Sequence, residues 1–219
     1  MCGRYTLAPE QGALIEAFDV PTLGFDFAPR FNLAPGQNLP VVAADHAGRR
    51  MGLMTWGLVP GWKESRGTPS INARAESVAS KPSFRDAFQR RRCLVPADGF
   101  YEWARRDGGK VPYWLHPAAG GLIAFAGIWE RWSAAESSPY FGFAILTTEA
   151  SPDLAGIHHR MPVVVPSDRY GEWLDTRTAP DQLTSLMRPA PGGTFVSHQV
   201  SPRVNRPSED DAGLVEPAA

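Results

Sequence analysis

The stretch Cys93-Leu-Val-Pro-Ala-Asp-Gly-Phe-Tyr-Glu-Trp-Ala104 contains two short β-like runs, residues 93–96 and 99–104. Both are rich in residues that favour strands, and a turn-forming Asp-Gly pair separates them. Similar runs occur on both sides, at residues 39–44, 51–56, 111–116, 122–130, 140–147, 162–165 and 195–200. Helical spacing of apolar residues is limited to residues 8–18, 83–91, 167–174 and 180–187, with Ser83 as a candidate N-cap. Many strands with few, peripheral helices predict one α+β domain, residues 1–219, around a curled and mostly antiparallel sheet.

The bulk composition is that of an ordinary globular protein. Of 219 residues, 43% are hydrophobic and 21% are charged, as in typical soluble domains. We expect a cytoplasmic protein, because the chain has no apolar run of transmembrane length and no signal-like start. The two cysteines, Cys2 and Cys93, are too few for a disulfide framework and are expected to be free thiols.

The charged residues are unevenly distributed. The net charge is −1, but residues 208–219 hold four acids and no Lys or Arg, so residues 1–207 have 22 basic against 19 acidic residues, or +3. Arg outnumbers Lys by 19 to three. Arg binds phosphates in a bidentate manner and stacks on bases, which suits nucleic acid. A coding bias towards Arg and Ala explains the same excess equally well, so charge alone does not decide the partner.

The N-terminal sequence Met1-Cys2-Gly3-Arg4 offers an unusual chemistry. Initiator methionine is ordinarily removed before a small residue, and its removal would expose Cys2 with a free α-amine beside its thiol. Such an amine can attack an aldehyde to form a Schiff base, which the thiol can close to a thiazolidine. The pKa values of the two groups are about 7.7–8.0 and 8.5, so a neighbouring base would assist. Taken alone, a cysteine at this position is more often incidental.

Three further motifs contain groups suited to catalysis. In Tyr101-Glu102-Trp103, a strand would point Glu102 away from its aromatic neighbours, and apolar surroundings would raise its pKa, as a general acid requires. Ile157-His-His-Arg-Met-Pro162 places two imidazoles before an apolar strand. An acid or base role is favoured over metal binding, because adjacent His side chains are expected to point apart. In Ile71-Asn-Ala-Arg-Ala-Glu76, Asn72 and Arg74 would share one face. Each motif also has a purely structural interpretation.

Two tryptophans lie in the turn-rich segment Trp56-Gly-Leu-Val-Pro-Gly-Trp62. Exposed aromatic rings stack on unpaired bases at roughly 1–3 kcal/mol each. Trp62, between Gly61 and Lys63, is the better stacking platform, whereas Trp56 suits a buried position equally well.

Together these segments resemble the SRAP family (SOS-response-associated peptidase), also described as abasic-site-processing or DNA-protein-crosslink-shielding proteins. The resemblance covers nearly the whole chain in the family's order, and the Cys-Gly-Arg start with the Glu and His segments is highly specific. The further segments that carry it are Arg30-Phe-Asn-Leu-Ala-Pro-Gly36, Trp56-Gly-Leu-Val-Pro60, Ile71–Glu76, Ala97–Trp103, Leu146-Thr-Thr148, Ile157–Pro162, Val204-Asn205 and Leu214-Val-Glu-Pro217.

The resemblance implies a barrel-like α+β domain and a role for each matching residue. Cys2 corresponds to the nucleophile that crosslinks the ring-opened sugar of an abasic site, and Asn72 to the amide that orients it. Glu102 corresponds to the acid that assists ring opening, and His158 to a proton shuttle. Positions near the DNA correspond to Arg4, Arg74 and Arg160 for phosphates, Pro35 as a wedge against the bases, Trp62 and Trp103 as aromatic platforms, and Thr147 as a hydrogen-bonding group near the lesion.

The implied partner is single-stranded DNA containing abasic sites, bound by a monomer that associates with the nucleoid. The chemistry would need no metal, nucleotide or redox cofactor. Two positions depart from the family's pattern. His159 stands where an acid is common, and residues 204–214 are acidic where a second Asn is expected.

Three alternatives remain open at this stage. A glutamine amidotransferase also begins with Cys followed by Gly, and ammonia release from glutamine would identify it. A non-catalytic reader of single-stranded or modified DNA would bind in a salt-sensitive manner that is indifferent to Cys2. A peptidase that processes its own N-terminus, as the family's older name suggests, would also place Cys2, Asn72, Glu102 and His158 in one site. Mass spectrometry of Glu102→Ala would separate such self-processing from ordinary removal of Met1.

Overall fold

Two β-sheets, packed around one extensive hydrophobic core, form the body of the protein in a computed structural model that describes residues 2–133 and 139–218. Within these ranges the strands are β1 (Tyr5–Leu7), β2 (Arg30–Leu33), β3 (Asn38–Asp45), β4 (Gly48–Trp56), β5 (Asn72–Arg74), β6 (Arg92–Ala97), β7 (Gly99–Arg106), β8 (Gly109–Pro117), β9 (Ile123–Trp132), β10 (Tyr140–Glu149), β11 (Arg160–Pro162), β12 (Val164–Val165) and β13 (Phe195–Gln199). The α-helices are α1 (Gln11–Phe18), α2 (Arg85–Arg90), α3 (Tyr170–Leu174) and α4 (Pro180–Leu186).

The larger sheet closes on itself. Its order is β11-β10-β4-β3-β6-β9-β12, and an additional β10–β9 pairing joins two members of that path, so that β10, β4, β3, β6 and β9 form a ring. Its pairings are antiparallel except where β10 runs parallel to β4 and β5. Because closure removes exposed strand edges, the ring encloses apolar side chains such as Phe125 and Phe143. The predicted single α+β domain with a curled, barrel-like and mostly antiparallel sheet is confirmed.

The smaller sheet has the order β13-β8-β7-β1-β2, and every pairing in it is antiparallel. It contains the β7 strand of the opening motif, which pairs with β1 at the start of the chain and with β8 in a hairpin. This sheet therefore brings the first residues of the chain beside Glu102.

The helices lie where apolar spacing predicts them, with one correction. Ser83 is not the cap of α2, because the N-cap residue is Phe84 and no side chain of a described residue caps the helix. Within the described residues, no helix has the length and apolar character needed to span a membrane.

Candidate functional site

The four residues predicted to be catalytic come together between the two sheets. Asn72 begins β5, and its side-chain amide donates a hydrogen bond of 2.8 Å to the backbone carbonyl of Cys2. The Nδ1 atom of His158 lies 3.9 Å from Oε1 of Glu102. Glu102 is also close enough to Cys2 for its charge to act on the thiol. Side chains from four separate parts of the sequence thus form one cluster.

Cys2 is buried in this structure, which retains Met1, and none of its surface is exposed. The prediction that Cys2 is exposed applies to the chain after loss of Met1, and it stays a prediction because this structure retains Met1. The thiol makes a weak hydrogen bond of 3.7 Å to the carbonyl of Arg4. Burial, followed by the nearby Glu102 carboxylate, raises the pKa of the thiol far above its usual range. In this state the sulfur is a neutral thiol rather than a thiolate.

Glu102 occupies the middle of β7, where alternation points its side chain away from those of Tyr101 and Trp103. Tyr101 fixes this part of the strand, since its hydroxyl donates a 2.8 Å hydrogen bond to the carbonyl of Phe31. Only 2% of the Glu102 surface is exposed. Burial raises the pKa of the carboxyl, as the sequence predicts for a carboxyl in apolar surroundings, so protonation is easier here than in water.

His158 has the opposite electrostatic character. Burial lowers the pKa of its imidazole, and the neighbouring His159 contributes in the same direction. The backbone N–H of Arg160 donates a 3.0 Å hydrogen bond to Nδ1 of His158. Nδ1 also lies 3.1 Å from the carbonyl oxygen of Arg160, so the backbone of Arg160 holds the ring in place.

The expectation that His158 and His159 point apart is wrong. Their ring centroids lie 4.5 Å apart with an interplanar angle of 25°, which is a stacked arrangement. The turn after Leu154 allows both rings to face the same groove, whereas the side chains of adjacent residues point to opposite sides only in extended backbone. In the described ranges, no three His, Cys, Asp or Glu side chains are placed to hold a metal ion.

A groove of about 880 Å³ opens beside this cluster. One wall is formed by the 156–159 loop, and another by the outer half of the β7–β8 hairpin. The lining residues are Glu102, Trp103, Arg105, Lys110, Gly156, Ile157, His158, His159 and Asn205. Glu102 and His158 are thus the two members of the cluster that face the groove.

Four of the residues predicted to contact DNA are accessible. Pro35, in the turn between β2 and β3, and Arg74, at the end of β5, are exposed. Trp62 is 64% exposed, which suits the predicted stacking role, whereas Trp56 is buried and donates a hydrogen bond to the carbonyl of Ile71. Trp103 is half-buried at the groove, and its indole donates a 2.8 Å hydrogen bond to Oδ1 of Asn205.

The other three predicted DNA contacts are engaged within the protein. Arg4 donates hydrogen bonds to Oδ1 of Asn32 at 2.8 Å and to the carbonyl of Val204 at 2.6 Å. Arg160 forms a bidentate pair with Glu76, with distances of 2.6 and 2.9 Å. Thr147 is fully buried under this pair. Direct DNA contact by these three side chains remains a prediction from the resemblance, and their internal partners do not favour it.

Sequence reasoning missed the residues that hold the C-terminal segment against the site. The amide of Asn32 donates to the carbonyls of Val204, Arg206 and Glu209, and the carboxylate of Asp210 accepts from the backbone N–H groups of Phe31 and Asn32. The acidic character of residues 204–214 thus has a structural use. The motif Arg30-Phe-Asn-Leu contained a signal, since a buried Asn requires several partners.

Comparison with known proteins agrees with this architecture. A structure of a protein from Bacteroides thetaiotaomicron superimposes with a TM-score of 0.90 over 100% of both chains at 21% identity, which shows the same fold. A structure from Bordetella bronchiseptica gives a TM-score of 0.79 at 25% identity, covering 91% of this chain and 100% of that one.

Relatives with names that describe a function are found in bacteria and animals. The abasic site processing protein YoqW of Bacillus subtilis is 39% identical over 99% of both chains. The abasic site processing protein HMCES of Gallus gallus is 33% identical over 87% of this chain and 67% of its own length. The family model for the SOS response associated peptidase matches residues 1–207. The chain therefore belongs to the SOS response associated peptidase (SRAP) family.

Proposed function

We propose that this protein processes abasic sites in single-stranded DNA by forming a covalent crosslink between Cys2 and the ring-opened sugar. The observation that carries the proposal is the meeting of Cys2, Asn72, Glu102 and His158 beside the groove. The names of the relatives from Bacillus subtilis and Gallus gallus support the abasic site as the substrate.

The proposed reaction begins with loss of Met1, which frees the α-amine of Cys2. The amine attacks the C1′ aldehyde of the open sugar, and loss of water gives an imine. The sulfur then forms a bond to the imine carbon, and the thiol proton moves to the nitrogen, which gives a thiazolidine and water as the only other product. A positive α-amine on the adjacent carbon also favours thiolate formation, opposing the effect of burial on Cys2.

Glu102 and His158 are suited to complementary proton transfers. A carboxyl with a raised pKa can donate a proton to the ring oxygen of the sugar as the hemiacetal opens. An imidazole with a lowered pKa stays neutral and can accept a proton. Asn72 would fix the carbonyl of Cys2 and so hold its amine in a defined orientation.

The accessible residues favour a single strand over an intact duplex. The exposed indole of Trp62 and the half-buried indole of Trp103 offer stacking surfaces to unpaired bases. Pro35 projects from a tight turn, and Arg74 is available for a phosphate. Stacking of this kind requires bases that are not paired in a helix.

The decisive experiment uses an abasic single-stranded oligonucleotide and a denaturing SDS gel. We expect the wild-type protein to give a stable adduct and Cys2→Ala to give none. Cys93→Ala is the matched control, since Cys93 is the other free and fully buried thiol, and it should retain the adduct. An unchanged adduct in Cys2→Ala would refute the proposed mechanism. Mass spectrometry of the wild-type adduct should place the modification on a Cys2 that lacks Met1.

A further inference from the structure

We propose that Arg105 and Lys110, at the outer end of the β7–β8 hairpin, bind backbone phosphate of the DNA strand to one side of the reacting sugar. The inference rests on the proposed function, because it takes the cluster at Cys2 as the position of that sugar. It assigns a path for the strand along the open edge of β7.

The edge of β7 that faces the groove is open beyond Tyr101. β1 pairs with β7 only at Gly99 and Phe100, and the last backbone bond on that side runs from the N–H of Tyr101 to the carbonyl of Arg4. From Glu102 to Arg106, and within the described residues, β7 pairs with β8 alone. Arg105 lies three residues beyond Glu102, or about 10 Å along the strand. The groove extends over this distance, and both Glu102 and Arg105 line it.

Arg105 and Lys110 face each other across the hairpin as register partners, so their side chains project from the same face. Both are exposed, and both line the groove. Neither side chain forms a hydrogen bond or ion pair with the part of the chain that the structure describes. The positive charge of Lys110 lies close enough to Glu102 and His158 to lower the pKa of both groups. Lys110 therefore adds a positive charge close to the reacting groups, and Arg105 adds a second one further along the groove.

The surrounding hairpin residues support a binding role for this pair. Arg106, on the opposite face, is held by a 3.1 Å hydrogen bond to the carbonyl of Gly156 and lies over the ring of Tyr113. It joins the hairpin to the 156–159 loop and so fixes the width of the groove. The one acid of the turn, Asp107, does not line the groove.

The chemistry of the groove fits a nucleic acid strand. Trp103 lies on the same face of β7 as Arg105, two residues away. An aromatic surface next to a pair of cations is the combination that binds a base together with its phosphate. Arg4 and Arg160 have partners within the protein. Among the described residues, the side chains of Arg105 and Lys110 have no hydrogen-bond or ion-pair partner, so they can bind phosphate without breaking an internal ion pair that the structure shows.

The test measures binding without covalent chemistry. The probe is a fluorescein-labelled single strand with a tetrahydrofuran residue, which has no aldehyde, at the abasic position. Affinity is measured by anisotropy over a range of salt concentrations. For the double variant Arg105→Ala/Lys110→Ala we expect weaker binding and a slope of log affinity against log salt that is shallower by about 1.4, because each phosphate that the protein no longer neutralises reduces the slope by about 0.7.

The control removes the same charges elsewhere. Lys81 and Arg90 are exposed near α2, which packs on β6 and β9 rather than on the hairpin. The variant Lys81→Ala/Arg90→Ala should keep the wild-type slope, and Arg105→Lys should retain most of the slope that Arg105→Ala loses. If the hairpin variant and the control have the same slope, the inference is wrong. The proposed function fails separately, by the lack of a Cys2-dependent adduct on aldehyde-containing DNA.

Discussion

At Glu102 and His158, burial moves two pKa values towards each other, because it disfavours the charged form of both groups. The raised pKa of Glu102 means that its contribution to stability is present below the ordinary value of about 4.3 and is lost as pH rises through the folded-state value. The lowered pKa of His158 has the opposite effect. Its contribution is present above about 6.5 and is lost as pH falls through the folded-state value. Burial therefore favours the neutral form of each group relative to its form in water.

His159, which stacks on His158, allows the electrostatic cause of the His158 pKa to be tested. We expect His159→Ala to raise the pKa of His158, because a second imidazole that can become positive is removed. The value should still lie below 6.5, since burial is the larger cause. Titration of the imidazole protons by NMR measures both effects. His46→Ala, which removes an exposed imidazole elsewhere, should leave His158 unaffected. A pKa of His158 that does not rise in His159→Ala would contradict the electrostatic account.

At the scale of single elements, β10 depends on a close approach between two backbones. It lies between β9 and β4, and Gly142 is opposite Glu130 on one side and Thr55 on the other. A Cβ atom at Gly142 would lie 2.3 Å from the carbonyl oxygen of Gly57. Since that neighbour is backbone, β10 and the turn after β4 could not both keep their positions. This close approach explains why one of the longest strands of the ring contains a glycine.

We therefore expect Gly142→Ala to lower the free energy of unfolding by about 3 kcal/mol, at the upper end of overpacking costs. The melting temperature and the denaturant midpoint measure the loss. Gly52→Ala is the matched control, because Gly52 is also a strand glycine but no atom of the described residues lies within 4 Å of the added Cβ. Gly52→Ala should leave the free energy of unfolding close to that of the wild-type protein. Equal losses in the two variants would show that general strand propensity, not the close approach, determines the cost.

Elements differ in how far the sequence predicts them. The runs at residues 39–44, 99–104, 111–116 and 140–147 all lie within observed strands, because five or more residues of strand-favouring type leave a local signal. β1, β2 and β5 contain only three or four residues and are not predicted, since their stability comes from partners far away in sequence. The smaller sheet depends on β1 and β2, so its strand order was not predictable either.

At the scale of the whole molecule, hydrogen bonds connect the N-terminal and C-terminal segments of the chain. Arg4 binds the carbonyls of Val204 and Asn205, 200 and 201 residues away, and Asn32 binds the same segment. Short motifs predicted the residues of the candidate cluster but not these hydrogen bonds, because no local pattern pairs an arginine with carbonyls at that separation. For the same reason, the sequence placed Arg4 and Arg160 among phosphate-binding residues and missed their internal partners.

The position of the C-terminal segment depends on Asp210, which lies beyond residues 1–207, the range that the family model matches. Its carboxylate accepts from the N–H groups of Phe31 and Asn32 at 2.6 and 2.9 Å and pairs with Arg30. Asp210→Ala would leave these donors without their acceptor. We expect a loss of about 2–3 kcal/mol in the free energy of unfolding, which lowers the melting temperature by roughly 4–12 °C for a chain of this size.

The same substitution should act on the groove through Asn205, which the segment holds against Trp103. Amide hydrogen exchange in residues 202–215 should become faster in Asp210→Ala, whereas exchange in the β10 core should change only as far as global stability does. Glu216→Ala removes another carboxylate of the same tail, but an exposed one. It should not alter amide exchange in residues 202–215 or in the β10 core. If exchange in residues 202–215 stays at the wild-type rate in Asp210→Ala, the other contacts of the segment, including those of Asn32 and Arg4, hold it without Asp210, and this carboxylate has no part in shaping the groove.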